Sequence, residues 1–161
     1  MRVHDVMTRD VVSCHPDTDL GTAARSMFEG RFGTLPVVDP HGKVTGIITD
    51  RDIAMALATR QRNASHIMVH EAMSSHVRGC LATDDVGDAL RLMAEAGVRR
   101  LPVMDGTGHL AGILSVDDIL ARAVDQEHGI DSSAFVKGLR EICSRRPVEP
   151  AVDFPDEVAP G

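Results

Sequence analysis

Gly46–Ile47–Ile48–Thr49–Asp50–Arg51–Asp52 is a short apolar run that ends in a hydroxyl residue, with an aspartate three positions later. The same grammar returns 66 residues on, from Asp52 to Asp118, as Gly112–Ile113–Leu114–Ser115–Val116–Asp117–Asp118. The apolar run predicts a strand, and the Thr or Ser predicts a helix start. The unpaired N–H groups of a helix start favour an anion, and an aspartate one turn in can accept from a sugar diol. Each stretch therefore reads as half of a nucleotide site. It reads equally as a capping box that needs no ligand.

Around these stretches one unit of the chain is duplicated. At the same displacement, without gaps from Val3 to Ile53, the matches include His4/His70, Met7/Met73, Val11/Val77, Cys14/Cys80, Asp19/Asp85, Leu35/Leu101, Pro36/Pro102 and Gly42/Gly108. Roughly two positions in five are identical. Two copies are too few for a solenoid, so they are expected to pack on each other about a pseudo-twofold axis.

Within copy one, Val11–Val12–Ser13–Cys14 predicts a strand. Thr18 to Glu29 predicts a helix, capped by Asp17 or Thr18 and stopped by Gly30. Leu35–Val38 and Val44–Ile48 predict a hairpin across Asp39–Gly42, and a second helix runs from Thr49 to about Ala58. Copy two repeats this order with a strand over Val77–Leu81, a helix over Asp84–Ala96, strands at Leu101–Met104 and Leu110–Leu114, and a helix from Ser115. The expected organisation is repeat 1 over 1–58, a polar linker over 59–68, repeat 2 over 69–124, a helical extension over 125–143 and a disordered tail over 144–161. In the extension, Phe135, Leu139 and Ile142 form one stripe and Asp131 is the expected cap.

Composition narrows the function. Net charge is −7, and the chain has four Phe with no Trp or Tyr. Nucleic-acid binding draws its affinity from cations and, for single strands, from aromatic platforms, so neither balance fits it. No apolar run reaches the roughly 20 residues that a membrane helix needs, and the N-terminus lacks an export pattern, so a cytoplasmic location is expected. Three cysteines make no disulfide framework. His66 and His70 stand four apart, but His70 repeats His4 and no ligand spacing continues, so no metal is expected. No catalytic motif of the lipase, zinc-protease, Walker or dinucleotide type is present. Asp117 and Asp118 project about 100° apart on a helix. An enzyme is not expected.

The duplicated strings LPVVDPHGKVTGIITDRDI and RRLPVMDGTGHLAGILSVDDI, with the Met7 and Met73 openings, resemble CBS domains, which pair in tandem as Bateman modules. The segment from Phe135 to Cys143 also resembles small mycobacterial stress-induced CBS proteins. The resemblance covers about residues 3–123 and implies an α/β (α+β) fold of two small sheet-and-helix units, and a stand-alone regulatory protein. It implies a cleft for an adenosine derivative such as AMP, ADP or ATP, with Asp52 and Asp118 on ribose and Thr49 and Ser115 near phosphate. Arg99 and Arg100 occupy the family's phosphate positions, which copy one fills with Gly33 and Thr34. Val11, Val12 and Val77 can supply the apolar adenine slot. If the arginines reach across the pseudo-twofold, they complete the site of Asp52. The resemblance also implies a homodimer. The competing expectation is a ligand-free CBS protein that docks an unidentified protein partner.

Overall fold

The short apolar runs Leu35–Val38 and Val44–Ile48, joined by the turn residues Asp39–Gly42, build one hairpin, and their repeat mates build another. The computed structural model describes residues 1–123 and 132–144. In order, the elements are α1 (Val3–Val6), α2 (Leu20–Gly30), β1 (Thr34–Val38), β2 (Val44–Thr49), α3 (Asp50–Arg60), a 3₁₀ turn (Ala64–His66) and α4 (Val69–Ala72). Then follow β3 (Cys80–Leu81), α5 (Val86–Ala96), β4 (Arg100–Met104), β5 (Leu110–Ser115), α6 (Val116–Ala123) and α7 (Ser132–Cys143). The class is α+β, as expected.

β1 and β2 pair antiparallel from Thr34↔Thr49 to Val37↔Gly46, then bulge before Val38. β4 and β5 keep the same register, from Arg100↔Ser115 to Val103↔Gly112, and bulge at the equivalent place. Asp39 closes the first turn by accepting from the N–H groups of His41 and Lys43, both at 2.9 Å. Gly42 supplies the positive φ of 83° that the turn requires. The two hairpin tips meet reciprocally: Val44 N–H donates to Gly108 O at 3.1 Å, and Leu110 N–H to Gly42 O at 3.2 Å. This is the pseudo-twofold relation seen in hydrogen bonds.

Two aliphatic cores result, and each borrows from the other copy. Val3, Val6 and Met7 are buried in the core of Val86, Leu90, Met93, Leu101, Leu114 and Ile119. Ile67 and Val69 are buried with Leu20, Met27, Leu35, Ile48 and Ile53. The backbone shows the exchange too: Val3 N–H donates to Asp84 O at 3.0 Å, while Val69 N–H donates to Thr18 O at 2.8 Å. The sequence repeats and the packing units are thus offset by one leading segment. The polar stretch between the copies also does more than link them, because Ile67 is wholly buried, and α3 continues two residues beyond Ala58.

Several expected elements are corrected. The strand over Val11–Cys14 reduces to a single bridge, Cys14↔Val37, and that over Val77–Leu81 reduces to β3. Val11 spends its N–H locally, on Arg9 O at 3.0 Å, and not in a ladder. The cap of α2 is Asp19, whose Oδ1 accepts from Thr22 N–H at 2.9 Å; the Thr18 hydroxyl is engaged with His15 N–H at 3.1 Å. Gly30 is the last helical residue, and Arg31 takes the left-handed C-cap at φ 56° where the second repeat has Gly97. The second-repeat helix starts at Val86 behind Asp85, since Asp84 accepts from Leu81 N–H.

α7 lies on α5, with Phe135 buried in the second core and Leu139 and Ile142 packed against it, which is the expected stripe. Gly138 permits this contact, because a Cβ there would come within 2.8 Å of Leu90 Cδ2. The expected cap Asp131 and the tail beyond Ser144 lie outside the described residues. Among those residues no helix is long and apolar enough to cross a membrane.

Candidate functional site

Both strand-to-helix junctions fold as capping boxes. Thr49 Oγ1 accepts from Asp52 N–H at 3.2 Å, and Asp52 Oδ2 accepts from Thr49 N–H at 2.8 Å and from its hydroxyl at 2.7 Å. Ser115 and Asp118 repeat this, with Asp118 N–H donating to Ser115 Oγ at 3.0 Å and Ser115 N–H to Asp118 Oδ2 at 2.9 Å. The cap uses only Oδ2 of either carboxylate, so a cap and a ribose contact on Oδ1 are compatible. The two Oδ1 atoms differ. That of Asp118 accepts from Thr8 Oγ1 at 3.2 Å, while no hydrogen bond reaches that of Asp52 among the described residues. Ser115 is buried, whereas Thr49 is half-exposed.

Thr8 arrives beside Asp118 because the leading segment crosses to the second repeat. Its N–H donates to Ile113 O at 2.9 Å and its carbonyl accepts from Ile113 N–H at 2.9 Å. Gly112 makes the approach possible: a Cβ there would come within 2.7 Å of Thr8 O and 2.8 Å of Met7 Sδ. At the other copy, Ile47 and Ser74 exchange the same pair of bonds, at 3.0 and 2.9 Å. A Cβ on Gly46 would collide with Met73 Sδ. Close backbone approach is therefore what both glycines provide.

Beside Thr8 lies a cleft of about 110 Å³ made from both repeats. Thr8, Asp10, Val11, Val12, Phe32 and Thr34 line it from the first copy, and Arg100 and Ile113 from the second. Arg100 stands opposite Ser115 in the ladder, and its Nη2 is 3.6 Å from Asp117 Oδ2. Among the described residues no hydrogen bond or ion pair joins Arg100 to Asp52, the reach expected across the pseudo-twofold; its ion-pair partner lies in its own repeat. Arg99 is exposed and absent from that cleft lining, while its carbonyl accepts from Val116 N–H at 3.0 Å. Val77 is half-buried at the position equivalent to Val11. Thr34, the copy-one residue at the expected phosphate position, does line this cleft, while Thr8, Asp10 and Phe32 went unnoticed in the sequence. The matched hydroxyls Thr8 and Ser74, each directly after a repeated Met, were the available signal.

A second concavity, about 940 Å³, is an open groove between α2 and α3 lined by Ala24, Met27, Phe28, Phe32, Ile53, Ala54 and Leu57, with Glu29, Arg31 and Asp50 also along its walls. Phe28 is 84% exposed beside it. Elsewhere, Cys14 and Cys80 are buried and their thiols are pushed up to about 11 by desolvation, which suits inert packing. Among the described residues no group of three or more His, Cys, Asp or Glu is placed to hold a metal.

The model of the CBS domain matches twice, over residues 3–59 and 69–125. The chain belongs to the CBS domain family. As a tandem CBS pair it is 35% identical over 145 residues to a 17.7 kDa protein of the bps2 3′ region in Acidianus ambivalens, covering 88% of this chain and 86% of that one. The CBS pair of protein MJ0100, solved in complex with 5′-methylthioadenosine and S-adenosyl-L-methionine, superposes with TM-score 0.68 at 28% identity, over 75% of this chain and 94% of that one. CBSX2 from Arabidopsis thaliana, solved in complex with AMP, superposes with TM-score 0.68 at 26% identity, over 77% and 96%. Enzymes among the relatives are matched over only 21 to 24% of their own length.

Proposed function

We propose that this CBS pair is a regulatory module, not an enzyme, that senses an adenosine-type ligand such as AMP, ADP or ATP. The observation that carries this is the cleft shared by the two repeats: apolar walls from Val11, Val12 and Ile113, an aromatic ring from Phe32, and the guanidinium of Arg100. An adenine can stack on the ring and a ribose can meet Asp118, while Arg100 offers paired donors to a phosphate. The complexes of CBSX2 with AMP and of the MJ0100 pair with adenosine derivatives support the same ligand class.

At about 110 Å³ the cleft is well below the roughly 300 Å³ at which small-molecule pockets begin. A nucleotide therefore enters only as the repeats part and Thr8 leaves Asp118. That gives the ligand different affinities for two arrangements, which is the condition for a conformational signal. The output surface fits the open groove on α2 and α3, where a protruding Phe28 and an apolar trough share one patch. A twofold homodimer would pair this patch with itself, setting Phe28 of each copy against the trough of the other and Glu29 and Asp50 near Arg31.

Thermal denaturation with adenosine, AMP and ATP tests the reading. A ligand at 100 times its dissociation constant adds about 2.7 kcal/mol of apparent stability, so the melting temperature should rise by several degrees. Asp118→Ala should remove most of that rise. If no adenosine compound at millimolar concentration shifts the melting temperature or gives a binding heat, the module is a ligand-free docking protein.

A further inference from the structure

Sorted by core and not by repeat, the chain divides into two packing units. One is residues 14–74, built on Leu20, Leu35, Ile48, Ile67 and Val69. The other joins residues 1–8 to residues 80–123 and α7, around Val3, Val6, Leu90, Leu101 and Leu114. The bonds of Thr8 with Ile113 and of Ser74 with Ile47 each lie inside one unit. Among the described residues, the backbone hydrogen bonds that join the two units are the pair at the hairpin tips, Val44 N–H to Gly108 O and Leu110 N–H to Gly42 O. The covalent crossings are residues 9–13 and 75–79. Apart from Val11 N–H to Arg9 O, no backbone hydrogen bond fixes either crossing among the described residues, so both can change shape at little cost.

From the shared tips the hairpins run to bases that face each other across the cleft: Thr34 opens β1, Arg100 opens β4, and both line it. Clasp and cleft therefore sit at opposite ends of the same two hairpins. At the clasp, Gly42 and Gly108 hold φ at 83° and 88°, and a residue without a Cβ rotates freely about such values. The bridge between the tips, Lys43 with His109, is isolated and does not continue into a ladder, so it can twist. We propose that this clasp is a pivot: the packing units turn about Gly42–Val44 and Gly108–Leu110, and the hairpin bases part while the tips stay bonded. β1 and β4 have five residues each. At about 3.3 Å per residue that is an arm of roughly 16 Å, so a turn of about 20° separates the bases by roughly 5 Å. A cleft of about 110 Å³ needs such widening before a nucleotide-sized ligand enters. The pivot rests on the adenosine reading only for the identity of what enters.

Paired spin labels on the full chain test this, in a Cys143→Ser background because Cys14 and Cys80 are buried. Arg51→Cys with Arg99→Cys reports the bases, and Pro40→Cys with Gly106→Cys reports the tips; all four positions are exposed. Without ligand, the base pair should show a distinctly broader distance distribution than the tip pair. Millimolar AMP should move the base distance by roughly 5 Å and leave the tip distance in place. Tips that spread as widely as the bases, or two equally narrow distributions, overturn the pivot. A covalent arm needs no labels. Lys43 and His109 share no hydrogen bond with each other and so form the closest kind of antiparallel pair, suited to a disulfide in Lys43→Cys/His109→Cys. Oxidised and reduced forms should bind AMP within about twofold of each other, since a pivot never has to open. A loss of about tenfold on oxidation means that the tips must part, which overturns the pivot and leaves the adenosine reading in place. If AMP, ATP and adenosine bind none of these proteins, the adenosine reading falls, and the ligand-free distances still decide the pivot.

Discussion

Thr8 and Asp118 are 110 residues apart, yet Thr8 donates its hydroxyl hydrogen to Asp118 Oδ1 at 3.2 Å. The bond marks where the leading segment of one repeat enters the other. It ties the stability of the fold and the state of the cleft to the same residue.

That exchange predicts an effect at a distance. Val3 is wholly buried in the second core, so Val3→Ala should cost about 2 kcal/mol. The lost protection should appear in α5 and β4, not in α2 and β1. Urea denaturation gives the magnitude, and amide hydrogen exchange gives the location. Loss confined to the first repeat would contradict the crossed packing.

Arg31 holds the left-handed C-cap of α2 at φ 56°, where Gly97 stands in the second repeat. A side chain there carries a steric penalty that glycine escapes. Arg31→Gly should therefore stabilise the protein by about 0.5–1 kcal/mol. A chemical denaturation midpoint that falls instead would show that the Arg31 side chain contributes more than its backbone costs.

Phe28 tests the self-pairing surface. It makes little contact within the chain, being 84% exposed, so Phe28→Asp should leave the melting temperature of a monomer nearly unchanged. Sedimentation should show a concentration-dependent dimer for the unmutated chain and a monomer for the variant. A dimer that survives the substitution places the interface elsewhere.

Asp105 predicts an acid dependence. Donation from the Thr107 hydroxyl, then from the His109 and Thr107 N–H groups, lowers its pKa from 3.8 to about 2. A folded pKa below the unfolded value means stability that is present above the unfolded value and lost as pH falls through the folded one. Asp105→Asn should thus melt below the unmutated chain at neutral pH, and the gap should close between about pH 4 and pH 2. A gap that stays constant through that window would show that the carboxylate charge is not the cause.

Much of this was legible in the residues. The displacement between Asp52 and Asp118 declared the duplication, and the hairpins followed because short apolar runs and a turn with Asp39 and Gly42 are local signals. Phe135, Leu139 and Ile142 declared the buried stripe of α7 for the same reason. Helix starts were misjudged by one or two residues. Asp17, Thr18, Asp19, Asp84 and Asp85 all have capping chemistry, and only the folded backbone decides which side chain reaches a free N–H. The short strands shrank because Val11 spends its N–H on Arg9 O, and only Cys14 reaches β1 and only Cys80 and Leu81 reach β4.

By itself, then, the sequence determined two matched units, their element order, an aliphatic core and two hydroxyl–aspartate junctions. Each of these is encoded within a few neighbouring positions or in the repeat. Tertiary structure alone decided that Val3, Val6 and Met7 complete the opposite core, that Arg100 lies within ion-pair distance of Asp117, and that Thr8 occupies the free oxygen of Asp118. Those relations join residues brought close only when two packed units close on each other. No periodicity along the chain records which partner a segment will cross to meet.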